Sequence, residues 1–198
     1  MRLAVFASGG GSNFGAILEA IAEKRLLAHA VVLVTDRPGT GAQARAEAAG
    51  VPVAVLPPRD FADEADFGAA LLAVLTEAGA EVVVLAGYLK KVPSAVVKAY
   101  DGRLVNIHPA LLPDFGGPGL YGRHVHEAVL ASGAHESGCT VHLVDDEYDR
   151  GPILAQVRVP VLPGDTPETL AARVLAEEHR LLPAVLATLT RECWNQDG

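Results

Sequence analysis

The sequence predicts an α/β fold: a single Rossmann-like open sheet, mostly parallel, with helices on both faces and an antiparallel edge near the C-terminus. Two observations carry this reading. Short runs that are apolar throughout alternate with longer stretches of helical period, the pattern of strands covered on both faces by helices. Two late apolar runs lie close together in the chain, which suits an antiparallel pair at the edge of the sheet.

The elements follow in order. Leu3–Ala7 is a short apolar strand broken by Ser8-Gly9-Gly10-Gly11-Ser12-Asn13. Phe14, Ile17, Leu18 and Ile21 then recur at helical spacing. Ala30–Thr35 is a β-branched strand, and Gly41–Ala49 an alanine-rich helix ended by Gly50. Val51–Leu56 is a third strand, halted by Pro57-Pro58. Phe61–Ala78 is a helix and Glu81–Ala86 a fourth strand. Pro93–Tyr100 is a short helix before a fifth strand, Arg103–Ile107. Pro109–Gly122 is rich in glycine and proline and reads as a long loop. His126–Ser132 is helical. Cys139–Val144 and Ile153–Val161 are strands around the loop 145–152. The last helix has Asp165 as N-cap, Pro167 in its first turn and Glu168 closing a capping box. It runs to about Leu189, with a kink expected at Pro183.

Composition narrows the function classes. The chain has 198 residues, half of them hydrophobic, enough for a sizeable core in one domain. Only the polar tail 195–198 reads as disordered. A net charge of −8 disfavours a general nucleic-acid surface and leaves small-molecule partners. No apolar run reaches membrane-spanning length, and the glycine loop follows Met1 too soon for a signal peptide. The two cysteines, Cys139 and Cys193, match neither a metal motif nor a disulfide framework, so a cytoplasmic setting is expected. The oligomeric state is left open.

In open α/β sheets, ligands bind at the carboxyl ends of the strands. The first such end carries the glycine loop. Glycines let backbone N–H groups approach an anion, and the following helix adds free N–H groups and a positive dipole end. A phosphate is the natural guest. A triphosphate P-loop is excluded because no lysine is present, and the dinucleotide fingerprint lacks its third glycine. Asp36, at the end of the second strand, keeps a nicotinamide enzyme open as an alternative. A tight turn with no ligand is the bland one.

Asn106-Ile107-His108-Pro109 closes the fifth strand. Residues two apart on a strand share a face, so Asn106 and His108 are presented together. Pro109 stops the strand there. An amide and an imidazole so placed can hold the oxygen of a tetrahedral intermediate and move a proton. A histidine merely satisfied within the fold is the alternative. The acidic loop Asp145-Asp146-Glu147-Tyr148-Asp149-Arg150 also follows a strand end. A carboxylate from it would stabilise an imidazolium. Composition does not choose among its three aspartates, and a solvated acidic turn is equally compatible.

The glycine loop, Asn106-Ile107-His108-Pro109-Ala110-Leu111-Leu112-Pro113 and the run from Val141 to Pro152, in that order, resemble the phosphoribosylglycinamide formyltransferases of the folate-dependent formyltransferase superfamily. The likeness extends to Ala172-Arg173-Val174 and Glu177-Glu178-His179. It implies one formyltransferase domain over 1–198, with a phosphate-binding half (1–100) and a catalytic and folate-binding half (101–198). It implies 10-formyltetrahydrofolate as co-substrate, transfer of its formyl group to the amine of glycinamide ribonucleotide, and no metal. By resemblance Gly11, Ser12 and Asn13 cradle the phosphate and Glu178 binds the ribose hydroxyls. Asn106 and His108 form the catalytic pair, and Asp146 is the catalytic aspartate. Leu89, Lys90, Lys91 and Val92 line the folate pocket, and Val144 and Asp145 flank the pterin. Where members carry a folate-contacting arginine after the third strand, this chain has Glu64, with Arg59 as a substitute. The loop 114–123 suggests a mobile cover. The relatives that act on initiator tRNA, and those that hydrolyse formyltetrahydrofolate, are expected to carry further domains.

Overall fold

The computed structural model describes residues 1–194, and the side chains of residues 1–190. The expected disorder of 195–198 and the side chain of Cys193 lie outside the described residues. Seven strands form one sheet in the order β3-β2-β1-β4-β5-β6-β7. They are β1 (Arg2–Phe6), β2 (His29–Thr35), β3 (Val53–Val55), β4 (Val82–Leu85), β5 (Leu104–His108), β6 (Glu136–Leu143) and β7 (Ile153–Pro160). Strands β1 to β5 pair in parallel. β6 and β7 add the antiparallel edge that the sequence predicts. The helices are α1 (Ser12–Ala22), α2 (Gly41–Ala48), α3 (Glu64–Glu77), α4 (Ser94–Ala99), α5 (Arg123–Ser132) and α6 (Pro167–Trp194).

Strand alternation divides the core in two. Leu3, Val5, Val82, Val84, Val105 and Ile107 face one side, where they pack with Phe14 and Ile17 of α1, Val129 of α5 and Leu170, Val174 and Leu182 of α6. Ala4, Phe6, Val83, Leu85 and Leu104 face the other, with Phe67, Leu71 and Leu75 of α3 and Val96 of α4. Burying each such leucine or phenylalanine is worth about 1.5–3 kcal/mol relative to exposure, so the sheet is held from both faces.

Several element bounds differ from the sequence reading by two or three residues, as where β6 starts at Glu136 and α3 at Glu64, and two details of the last helix differ as well. The N-cap of α6 is Thr166, not Asp165. Thr166 Oγ1 accepts from the Thr169 backbone N–H at 3.3 Å, and Thr169 Oγ1 accepts from the Thr166 N–H at 2.9 Å. Asp165 instead takes the Arg173 guanidinium in a two-pronged pair. The helix also runs on to Trp194, past the expected end near Leu189; within it Pro183 has no N–H to give to the His179 carbonyl one turn earlier.

The order of strands sets the site. The chain leaves β1 toward β2 and β3, then returns to place β4 on the other side of β1, so a crevice opens at the carboxyl ends of β1 and β4. The two loops there are tied together. Ser8 N–H donates to the Gly87 carbonyl at 3.1 Å, and Leu89 N–H donates to Ser8 Oγ at 2.9 Å.

Candidate active site

Val105 and Ile107 of β5 point into the first core, so the pleat sends Asn106 and His108 to the opposite face. The antiparallel partner β6 does the same with Thr140 and His142, because Cys139 and Val141 enter that core. The register sets Asn106 across from His142 and His108 across from Thr140. Asn106 Nδ2 and His142 Nε2 are 3.0 Å apart. Thr140 Oγ1 donates to the Ala110 carbonyl at 2.6 Å and accepts from Leu112 N–H at 3.1 Å, which holds the chain as it leaves β5.

The carboxylate that joins this cluster is Asp149. Its Oδ2 lies 3.6 Å from His108 Nδ1, and its Oδ1 lies 3.5 Å from His142 Nε2 and 3.4 Å from Asn106 Nδ2. Gly117 N–H donates to Oδ2 at 3.0 Å. Asp146, the aspartate expected here, is exposed at the rim. The loop geometry explains the difference. Asp149 takes a left-handed backbone, φ 55°, which aspartate tolerates, and turns its side chain back toward β5. Gly151 lets the chain pass the Leu143 carbonyl, into which any Cβ would run.

His108 is buried, with Nε2 2.8 Å from the Phe115 carbonyl and Nδ1 toward Asp149. Two acceptors suit an imidazolium, which has two N–H donors. Burial outweighs them: desolvation pushes the His108 pKa below the ordinary histidine value, against the upward pull of Asp149 and the Phe115 carbonyl and with a small further push down from His142. Burial thus favours the neutral imidazole over the imidazolium that a carboxylate from the acidic loop would stabilise. Burial alone would raise the pKa of Asp149. Its hydrogen bond with His142, the His108 charge and the Gly117 N–H together bring it below the usual carboxylate range.

At the other strand end, α1 begins at Ser12 with Gly11 as a left-handed N-cap, φ 68°. No side chain caps it, so its first N–H groups remain free for an anion. A Cβ on Gly11 would come within 2.6 Å of Ala42 Cα, so both backbone sign and space demand glycine. Asn13 and Glu178 are brought together across α1 and α6, Nδ2 donating to Oε2 at 2.6 Å in a buried pair. Desolvation raises the Glu178 pKa, and the Asn13 hydrogen bond opposes this. Asn13 Oδ1 is buried with no partner among the described residues.

One cavity of about 790 Å³ takes in Asn106, His108, Asp149, Asn13, Glu178 and the whole segment Tyr88–Val92, together with Val144, Asp145 and Asp146. Gly11 and Ser12 stand at the end of α1 beside it and are not among its lining residues. Asp36, 6% exposed, is the buried anchor below the 88–92 segment. Its Oδ2 lies 2.9 Å from Arg37 Nη2 and 3.8 Å from Lys90 Nζ. Glu64 turns away from the cavity and accepts from Ser94 N–H at 3.3 Å. Arg59 is no substitute for the missing arginine. Its side chain is 85% exposed, faces Asp60 at 3.6 Å and does not line the cavity. Lys90 and Lys91 are the lysines at its wall. Among the described residues no group of three or more His, Cys, Asp or Glu is arranged to hold a metal ion, and no helix is long and apolar enough to cross a membrane.

Comparison with known proteins supplies the family. The formyl transferase family model matches residues 1–186. The chain belongs to the formyl transferase family. Over its full length it is 48% identical to the chloroplastic phosphoribosylglycinamide formyltransferase of Arabidopsis thaliana, of which it spans 68%. It is 37% identical to the phosphoribosylglycinamide formyltransferase of Bacillus subtilis, over 95% of this chain and 94% of that one. The crystal structure of phosphoribosylglycinamide formyltransferase from Bacillus halodurans superposes with a TM-score of 0.90 at 38% identity, covering 96% of this chain and 95% of that chain.

In this formyl transferase, four features of the site escaped the sequence reading. His142 is the cross-strand neighbour of Asn106, and only the β5–β6 register reveals it. Asp149 sits two residues before the Gly151-Pro152 turn, and that turn was the available landmark. The Phe115 carbonyl belongs to the irregular loop after Pro113, where no periodicity applies. His126 of α5 lines the cavity, buried, with Nδ1 unpartnered among the described residues. Its pKa is pushed down first by burial and then by the charge on His108.

Proposed function

We infer that this chain is a phosphoribosylglycinamide formyltransferase, which moves the formyl group of 10-formyltetrahydrofolate to the amine of glycinamide ribonucleotide in purine synthesis. The observation that carries the inference is the shared cavity. A buried carboxylate for hydroxyl groups, an amide–imidazole–carboxylate cluster and the 88–92 segment all meet there, with the phosphate-competent helix end beside it, in a chain with full-length likeness to enzymes of that name.

The chemistry follows from the groups. The glycinamide amine attacks the formyl carbon, and the carbonyl oxygen becomes an oxyanion. Asn106 Nδ2 donates to that oxygen. His108, neutral at rest, takes a proton from the attacking nitrogen and passes it to the departing folate nitrogen. Asp149 balances the imidazolium while it exists, and His142 holds Asp149 and Asn106 in place. Asp146 has no part in this step. The formyl group is already activated, so no metal is required. Glu178 receives the ribose hydroxyls, and the α1 terminus with Gly11, Ser12 and Asn13 receives the phosphate. Leu89, Val92 and Val144 give the folate an apolar wall, with Lys90, Lys91 and Asp145 as its polar edge. A cytoplasmic setting is consistent with the free, buried Cys139.

Acceptor choice tests the reading. Formyl consumption is expected with glycinamide ribonucleotide and not with initiator tRNA, and no NADH should be oxidised. The rate should be unchanged by a chelator. Loss with chelator and recovery with zinc would contradict the mechanism. Ser12→Ala is expected to raise the KM for the ribonucleotide about 3- to 10-fold with little change in kcat, the signature of lost uniform binding. A change confined to the KM for the folate would remove Ser12 from the phosphate site.

A further inference from the structure

His108, Thr140 and Gln156 stand in one row across β5, β6 and β7. The register sets His108 across from Thr140 and Thr140 across from Gln156. Their chain neighbours Ile107, Val141, Ala155 and Val157 turn to the first core, so the row lies on the opposite face of the sheet. Gln156 belongs to the outermost strand, is exposed, and does not line the cavity. Its amide nevertheless reaches inward. Nε2 donates to the Leu112 carbonyl at 2.8 Å and to Thr140 Oγ1 at 2.8 Å, one acceptor for each of its two N–H bonds.

Leu112 is thereby held at both of its backbone groups, the N–H by Thr140 and the carbonyl by Gln156. The corner 115–117 rests on it. A Cβ on Gly116 would come within 2.5 Å of Leu112 Cδ2 and 3.1 Å of Asp149 Cβ, so the corner is wedged between the Leu112 side chain and Asp149. Phe115 takes a left-handed backbone, φ 55°, which is unfavourable for a bulky residue and so is imposed by what surrounds it. The corner then offers the Phe115 carbonyl to His108 Nε2 at 2.8 Å and the Gly117 N–H to Asp149 Oδ2 at 3.0 Å. It grips both members of the His108–Asp149 pair.

We propose that Gln156 is a positioning residue for the reaction: through Leu112 it fixes the corner that orients His108 and Asp149. The proposal rests on the function inferred above. An edge-strand amide with a merely structural role would affect melting and leave the behaviour of His108 alone.

Gln156→Met keeps the length of the side chain and removes both donors. The Leu112 carbonyl then loses its partner and the corner is free to shift. Misplacement of an acid–base pair by a fraction of an ångström slows turnover, so kcat is expected to fall roughly 5- to 50-fold, with both KM values within about twofold. A second readout needs no catalysis. Asp149 and the Phe115 carbonyl pull the His108 pKa up, His142 pushes it down, and His126 of α5 in turn feels the His108 charge. A shifted corner weakens the upward pulls. The titration of His108, followed by nuclear magnetic resonance in the substrate-free protein, should therefore move to lower pH in Gln156→Met. An unmoved titration, or an unchanged kcat, would overturn the assignment of Gln156. If Gln156→Met does not fold, Gln156→Asn, one carbon too short to reach both acceptors, takes its place, and wild-type kcat and titration in that variant are the contrary result. A wild type that transfers no formyl group would overturn the function, and the titration would still decide on Gln156.

Discussion

Asn106→Ala and His108→Ala are each expected to lower kcat by about 10²–10³, the equivalent of roughly 2.7–4 kcal/mol of transition-state stabilisation. The oxyanion exists only after attack, so an Asn106 amide aimed at it contributes little to binding the substrates and most of its effect falls on kcat. His108 handles a proton in the same interval. Both KM values should move little. Neither residue belongs to the two apolar cores, so melting temperatures should stay near the wild-type value. Steady-state kinetics on both substrates with a thermal melt of each variant checks this. A variant that loses affinity but keeps kcat would place its residue in binding instead.

The second large effect separates two aspartates three positions apart. Asp149→Asn is expected to slow turnover by at least about 10²-fold, because the imidazolium then forms without its counter-charge in a buried site. Asp146→Asn, altering an exposed rim residue, should leave kcat within about twofold. In a double-mutant cycle His108→Ala with Asp149→Asn should be little worse than the worse single variant, since the two groups act as a unit. The pH profile supplies a sign. Burial holds the His108 pKa below the ordinary histidine value while Asp149 pulls it upward. The acid limb of kcat/KM reports protonation of the neutral base, so it should lie below that ordinary value in the wild type. In Asp149→Asn the upward pull is gone and the limb should move to still lower pH. His142, on the neighbouring strand β6, adds a downward push on His108 and would oppose any upward movement. A limb that moves up, or losses that multiply, would contradict the coupling.

These contrasts also mark where sequence reasoning stops. The strands were legible because buried parallel strands are apolar without interruption. Asn106 and His108 were legible because a period of two decides which side chains share a face. Asp149 lies where no period holds. A left-handed residue in an irregular loop can aim its side chain back at the sheet, and a loop with three aspartates offers no local reason to prefer one. The Asn13–Glu178 contact joins residues 165 positions apart, and the resemblance supplied its members without their pairing. The balance at His108 was not legible, because the partner carboxylate is visible in composition and the burial that opposes it is not. The cap of α6 slipped by one residue, from Asp165 to Thr166, because aspartate and threonine both satisfy an N-terminus and only the Arg173 pair shows which one is engaged elsewhere.

The most direct test follows the formyl carbon itself. The protein is mixed with 10-formyltetrahydrofolate carrying a carbon-13 formyl group and with glycinamide ribonucleotide, and the label is traced by nuclear magnetic resonance. The account predicts one labelled formamide on the ribonucleotide for each tetrahydrofolate released, no labelled formate, and no release when the ribonucleotide is omitted. Label appearing as formate, or folate turnover that proceeds equally well without the ribonucleotide, would contradict it.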